Sequence, residues 1–214
     1  MATYESLIKL KGSVGDLVFY TLNGKNVVRK KSGFNKTAFK KNPAYEKVRQ
    51  NSSEFGHCSK IGKTIRHALG SCLTQNNDPL LYQKFAKLMT EIKDLDMVSE
   101  RGKRTVQNGL ATEDGKLLLK KFQFGNMPNV ENVSISLGLW NKNLHLGKQF
   151  NAHEACILSV KIDFENYLVE SFEEKVFIGN QQEIAFEQHF SYDDFLLHFV
   201  VLTKDGKITN MGFV

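Results

Sequence analysis

The chain has 214 residues, 41% of them hydrophobic, with three prolines and a formal net charge of +6, a composition that fits a globular protein able to bury a core in one domain or two. No stretch approaches the roughly 18 apolar residues a membrane-spanning helix needs, and the opening MATYESLIKLKGS lacks the basic start and long apolar core of a signal peptide. Three cysteines, Cys58, Cys72 and Cys156, form an odd set without C-x-x-C spacing, which argues against a disulfide framework and for a reducing, cytoplasmic setting.

Residues 5–31 read as a three-stranded β-meander. ESLIKLK is a short alternating strand, Gly12–Gly15 a turn, and LVFYTL a β segment of branched and aromatic residues. Asn23-Gly24 then signals a two-residue hairpin turn, because both central positions of a type I′ turn need positive φ. That turn pairs Leu22 with Lys25, Tyr20 with Val27, Phe19 with Val28 and Val18 with Arg29. One face collects Leu17, Phe19, Thr21 and Val28; the other carries Tyr20, Lys25 and Arg29. A hairpin alone is marginal in water, so this ribbon needs something to pack on. Lys30, Lys31, Lys36, Lys40 and Lys41 follow among few apolar groups, reading as a basic tether.

Asn42-Pro43 supplies a cap and an early proline for a helix reaching about Leu69 or Gly70. Inside it lies GHCSKIGKT, close to a phosphate-binding loop. Five residues separate Gly56 from Gly62 where the motif needs four, and no buried strand precedes it. Val48, Phe55, Cys58, Gly62, Ile65 and Leu69 instead fall at helical spacing, with Ser52 and Ser59 as small contact residues. His57 and Cys58 are about 100° apart on such a helix, a poor chelate. Asp78-Pro79 starts a second helix with the stripe Leu81, Phe85, Leu88, Met89 and Ile92. SERGKRTVQNGL reads as a third, and together they make a helical hairpin or bundle.

From Lys116 the pattern turns to period two. LLLKKFQF, VSISLGL, ACILSVKIDF, EKVFIG, EIAFEQHF, FLLHFVVLT and KITNMGF are apolar-rich segments separated by turn residues. They predict an antiparallel β-sandwich of the immunoglobulin-like kind without the Cys…Trp…Cys spacing, and leave Trp140 as a core or edge residue. The fold class is therefore α+β, in three parts: a β-ribbon and tether over 1–41, a helical segment over 42–114 and a sandwich over 115–214. No G-x-S-x-G, H-E-x-x-H or G-x-G-x-x-G occurs. His189 and His198 read as separate strand residues, and SYDDF, with Asp193-Asp194 beside Tyr192, as a turn. No catalytic residue, cofactor or metal site is predicted.

The charge is unevenly placed: residues 1–124 carry 23 Lys/Arg against 11 Asp/Glu, and the remainder 6 against 12. The stretch KGSVGDLVFYTLNGKNVVRKKSG and the terminal VVLTKDGKITNMGFV are similar to uncharacterised Bacteroidetes proteins of like length. Those have the same Gly-Val-Gly, Asn-Gly-Lys, Val-Arg hairpin and a C-terminal sandwich ending in an Asp-Gly-Lys turn. The resemblance implies the architecture and brings no catalytic assignment.

Two readings follow. In the first the chain is a non-enzymatic structural or assembly protein. It forms homo-oligomers or docks in a larger, phage-like apparatus through Phe19, Tyr20, Val27, Val28 and Arg29. Arg29 would meet Glu173, Glu174, Asp193 or Asp194. In the second, nucleic acid is bound without sequence preference by Lys25, Arg29, Lys30, Lys31, Lys36, Lys40 and Lys41 around Tyr20 and Phe34, with Lys60, Lys63 and Arg66 on the first helix.

Overall fold

The computed structural model describes residues 2–5, 10–31, 36–73, 78–138, 141–147, 151–179, 181–191 and 193–214. Phe34, Trp140, Tyr192 and most of the expected ESLIKLK strand lie outside them. The chain divides into two compact units, Met1–Glu46 and Lys47–Val214, and is mixed α+β with antiparallel sheets.

In the first unit, β1 (Ala2–Thr3), β2 (Gly12–Val14), β3 (Leu17–Leu22) and β4 (Lys25–Lys30) form one sheet in the order β1-β4-β3-β2. Asn23 and Gly24 adopt φ of 49° and 77°. The turn they make sets Leu22 against Lys25, Tyr20 against Val27, Phe19 against Val28 and Val18 against Arg29, the register read from the sequence. Gly12–Gly15 is not a turn. Gly12, Ser13 and Val14 pair with Phe19, Val18 and Leu17, and the turn sits at Gly15-Asp16, where Gly15 takes the positive φ of 54°.

Burial also departs from expectation. Among the described residues of this unit only Val27 is buried, at 3% accessibility, and it lies on the face expected to be basic and aromatic. Its cross-strand neighbours are Tyr20 and Thr3, whereas Val28 has Ala2 on one side, which covers little. The tether is partly ordered: α1 (Lys36–Lys41) precedes a 3-10 turn at Pro43–Tyr45. The Asn42 side chain accepts the Ala44 N–H at 2.9 Å, the cap its position suggested.

Among the described residues the second unit opens with four helices: α2 (Glu46–Ala68), whose first residue is the last of the first unit, α3 (Leu81–Asp94), α4 (Val106–Ala111) and α5 (Glu113–Lys120). α2 buries Glu54, Cys58, Ile61, Gly62 and Ile65; Cys58, Gly62, Ile65 and, just past its end, Leu69 are buried as expected, and the stripe departs only in its first half, where Glu54 takes the place of Phe55. Val48, Ser52, Phe55 and Ser59 are exposed. Sequence reasoning avoids placing a glutamate in a core, and here the glutamate is neutralised by partners distant in sequence. α3 buries Leu81, Phe85, Leu88, Met89 and Ile92 as its spacing dictates.

SERGKRTVQNGL is helical only from Val106, since Asp96 ties Val98, Ser99 and Thr105 N–H groups into a loop. The first expected strand, LLLKKFQF, is instead the end of α5 and the loop after it. Thr112 caps that helix by accepting the Gly115 N–H at 3.1 Å, with Glu113 and Asp114 in the first turn.

Seven strands follow among the described residues: β5 (Val133–Leu137), β6 (Lys142–Leu146), β7 (Glu154–Asp163), β8 (Leu168–Phe177), β9 (Glu183–Phe186), β10 (Leu196–Lys204) and β11 (Lys207–Phe213). They make two sheets, β5-β6-β9 and β11-β10-β7-β8. First, second and fifth strands stand against third, sixth and seventh, the division of an immunoglobulin-like sandwich, with the fourth strand placed beside the third. Val133, Leu144, Ile184 and Phe186 pack on Ile157, Val200 and Leu202 between the sheets.

The other face of the four-stranded sheet is covered too. Leu158, Val160, Phe199, Val201 and Phe213 share one core with Ile61, Ile65, Phe85 and Leu110 of the helices. That double cover explains the unbroken buried runs at 157–160 and 199–202, since strands buried on both sides lose their alternation.

Candidate functional site

Phe19, Tyr20, Val27, Val28 and Arg29 all lie on the paired strands β3 and β4. Arg29 and Lys30 are exposed near the end of β4, Lys25 is exposed at its start, and Lys31 follows directly. Lys36, Lys40 and Lys41 occupy α1. Lys60, Lys63 and Arg66 belong to α2; the first two share one groove and Arg66 does not. Lys60 Nζ stands 4.7 Å over the Tyr167 ring. With Lys63, Thr64, His67 and Tyr167 it lines a groove of about 420 Å³. Arg66 turns toward α3, donating from Nη1 to the Tyr82 carbonyl at 3.4 Å and lying over Phe85, and its burial lowers its pKa. Lys63 and Arg66 are neighbours at i and i+3 on the helix surface, but their side chains line different grooves.

Three of the carboxylates proposed for Arg29 already have partners. Glu173 accepts the Ser71 hydroxyl at 3.0 Å, Glu174 accepts the Glu187 N–H at 3.1 Å, and Asp194 pairs with Lys161 at 3.1 Å. Asp193 is exposed before β10.

The structure assembles three polar groupings that no motif announces. The first anchors the β7–β8 turn to α2. His57 Nε2 accepts the Val106 N–H at 3.1 Å, which leaves the proton on Nδ1 to meet the Tyr167 hydroxyl at 3.2 Å. Thr64 donates to the Tyr167 carbonyl, and Tyr167 holds φ at 58°. Burial and the nearby Lys60 charge lower the His57 pKa, so it stays neutral. Cys58 points away, donating to the Met89 carbonyl, and the His57-Cys58 pair does not chelate.

The second grouping is ionic. Glu54 binds Arg104 through both carboxylate oxygens, at 2.9 and 2.8 Å, and accepts Lys93 at 2.8 Å and the Gly102 N–H at 2.6 Å. The Arg104 hydrogen bond is the largest influence holding its pKa down, to about 2, against the opposing effect of burial. Asp94 closes the set by pairing with both Lys93 and Arg104. Every member has partners within the fold, so the set clamps the loop before α4 and leaves nothing open to a ligand.

The third lies between the sheets. His198 Nδ1 is 3.1 Å from the Ser159 hydroxyl and its Nε2 3.1 Å from Lys142 Nζ. Burial, then the Lys142 charge, lower the His198 pKa to about 4. A hydrolytic triad needs a carboxylate where Lys142 stands, to stabilise the imidazolium that forms. With a buried ammonium there, His198 is a poor proton acceptor, and Ser159 is itself buried. The arrangement is wrong for nucleophilic catalysis. Neither a protein-family model nor a curated protein or a solved structure matches the chain.

Proposed function

We propose that the protein is a non-enzymatic structural subunit that self-associates, or docks in a larger and phage-like apparatus, through its N-terminal ribbon. The reading has it act in the cytoplasm or in a particle assembled there. The supporting observation is the burial deficit of the first unit. Four strands are present, yet Val27 is the single buried residue among those described, while Leu10, Val14, Leu17 and Leu22 are exposed. The outer strand β2 is exposed along its length. A small sheet with that little covered apolar surface gains stability by adding a strand or a face from another chain.

Sedimentation and light scattering of the intact chain and of a chain beginning at Asn42 test this. The intact chain associates with rising concentration and the shortened one stays monomeric. Two monomers at high concentration would remove the basis for assembly.

One observation favours a second reading, binding of nucleic acid without sequence preference. Lys60 and Lys63 line one groove with the Tyr167 ring, a pairing of cations with a stacking surface. Retention of single-stranded DNA or RNA at low salt must then fall steeply as salt rises. Absence of retention would end this reading.

A further inference from the structure

We propose that Cys72, Cys156 and Glu173 form a binding site for a zinc-class divalent cation. Their ligand atoms, two sulfurs and a carboxylate oxygen, all lie within 4.8 Å of one another. Tetrahedral zinc holds sulfur at about 2.3 Å and oxygen at about 2.0–2.2 Å, which sets neighbouring ligand atoms roughly 3.5–3.8 Å apart. A set this close contracts onto an ion with small side-chain movements.

Rigid elements deliver all three. Cys72 follows α2 in a turn closed by its own N–H on the Leu69 carbonyl at 2.9 Å, and Leu69 is fully buried. Cys156 and Glu173 stand on adjacent strands. Cys156 pairs with Lys175 and Leu158 with Glu173, so Glu173 lies diagonally across from Cys156 on the same face of the sheet.

The donors choose the metal. Two thiolates with one carboxylate suit Zn²⁺, Cd²⁺ or Co²⁺, whereas Mg²⁺ and Ca²⁺ take oxygen shells. Three protein ligands leave a fourth position, and the Glu173 side chain reaches solvent, so a water completes the tetrahedron. Ser71 donates to Glu173 Oε2 at 3.0 Å, orienting the carboxylate as outer partners of metal ligands do. The electrostatics agree. Two thiolates and a carboxylate bring negative charge together, and Lys175, 3.6 Å from Glu173, offsets only part of it. Metal binding deprotonates both thiols and releases their protons to solvent.

Cobalt(II) added to the reduced, metal-free full-length chain near neutral pH is the direct test. One equivalent produces sulfur-to-cobalt charge-transfer absorption and the visible bands of tetrahedral cobalt, and zinc displaces it while magnesium and calcium do not. Cys72→Ser and Cys156→Ser each abolish the bands with circular dichroism unchanged. Glu173→Gln weakens binding about 10-fold or more, and Cys58→Ala leaves the bands intact. No thiolate band in the native chain, or bands that survive Cys156→Ser, would overturn the site. So would a Cys72–Cys156 disulfide that forms in glutathione buffer despite one equivalent of zinc. These outcomes are independent of the ribbon and of assembly.

Discussion

Glu54 Oε2 and Lys93 Nζ meet at 2.8 Å with side chains only 2% and 5% accessible. They join the middle of α2 to the last turn of α3. Arg104 and the Gly102 N–H fill the remaining acceptor positions of the carboxylate, so one glutamate clamps the Gly102–Arg104 part of the loop that Asp96 also ties. Removing one partner of a buried pair costs more than the pair contributes, because the other charge stays buried. Glu54→Gln is expected to lower stability by about 3–5 kcal/mol. The lower end is favoured because Asp94 still contacts Lys93 at 2.6 Å. Urea denaturation followed by circular dichroism measures it, and a loss under about 1 kcal/mol would mean that the loop is held by other contacts.

Acid should weaken the protein in two stages. His198 has a folded pKa of about 4 against 6.5 ordinarily, so the unfolded chain takes up its proton first and stability falls as pH drops from about 6.5 toward 4. Glu54, held near 2 against 4.5, contributes fully above about 4.5 and loses that contribution as pH falls through 2. Unfolding free energy measured across pH 2–8 should therefore show both limbs. His198→Gln makes the upper one shallower without removing it, since the lowered pKa of His57 contributes there too; an unchanged slope between pH 6.5 and 4 in that variant would discount His198.

Two helical glycines should respond to alanine with opposite signs. At Gly56 an added Cβ meets nothing within 4 Å, and the helix gains about 0.5–1 kcal/mol from the reduced backbone entropy of the unfolded chain. At Gly109 the Cβ lands on the Ile92 carbonyl, where α4 crosses α3. Backbone cannot yield as a side-chain end does, so Gly109→Ala should cost at least about 2 kcal/mol. Thermal denaturation of both variants checks the pair, and equal effects would contradict the close crossing.

Local chemistry made the ribbon register readable, because Asn23-Gly24 fixes the turn and a turn fixes every pairing beyond it. It did not reveal that Val27 is the buried member, which depends on β1 arriving from the other side of β4. LLLKKFQF was ambiguous in periodicity alone, although Thr112 with two acidic residues after it carried the helix signal. β6 was missed because KNLHL has only two leucines and begins with a lysine that proves buried. The unbroken apolar runs of β7 and β10 did carry a message, that helices as well as strands cover the sheet. Glu54 was unreadable as a core residue since its partners stand 39 and 50 residues away. Cys72, Cys156 and Glu173 are joined only by the way α2 ends over the β7–β8 pair.

Arg29 separates the two functional readings. It lies opposite Val18 on β4, exposed, just beyond the Val27–Val28 stretch that β1 covers. β4 is thus an inner strand for two residues, where a three-stranded meander would leave it an open edge. Under the assembly reading its guanidinium meets a carboxylate on a neighbouring copy. Glu173, Glu174 and Asp194 are engaged within their own unit, which makes Asp193 the first partner to test. Arg29→Glu then places like charges together and should abolish the concentration-dependent rise in mass, and Asp193→Lys in the same chain should restore it. Under the nucleic-acid reading Arg29→Glu instead lowers retention on single-stranded DNA and reduces its salt dependence, leaving the mass unchanged. Analytical ultracentrifugation and a salt-stepped binding assay on the same three proteins distinguish these outcomes. If neither quantity moves, Arg29 serves only to keep unrelated strands off β4, and the ribbon loses its role in both.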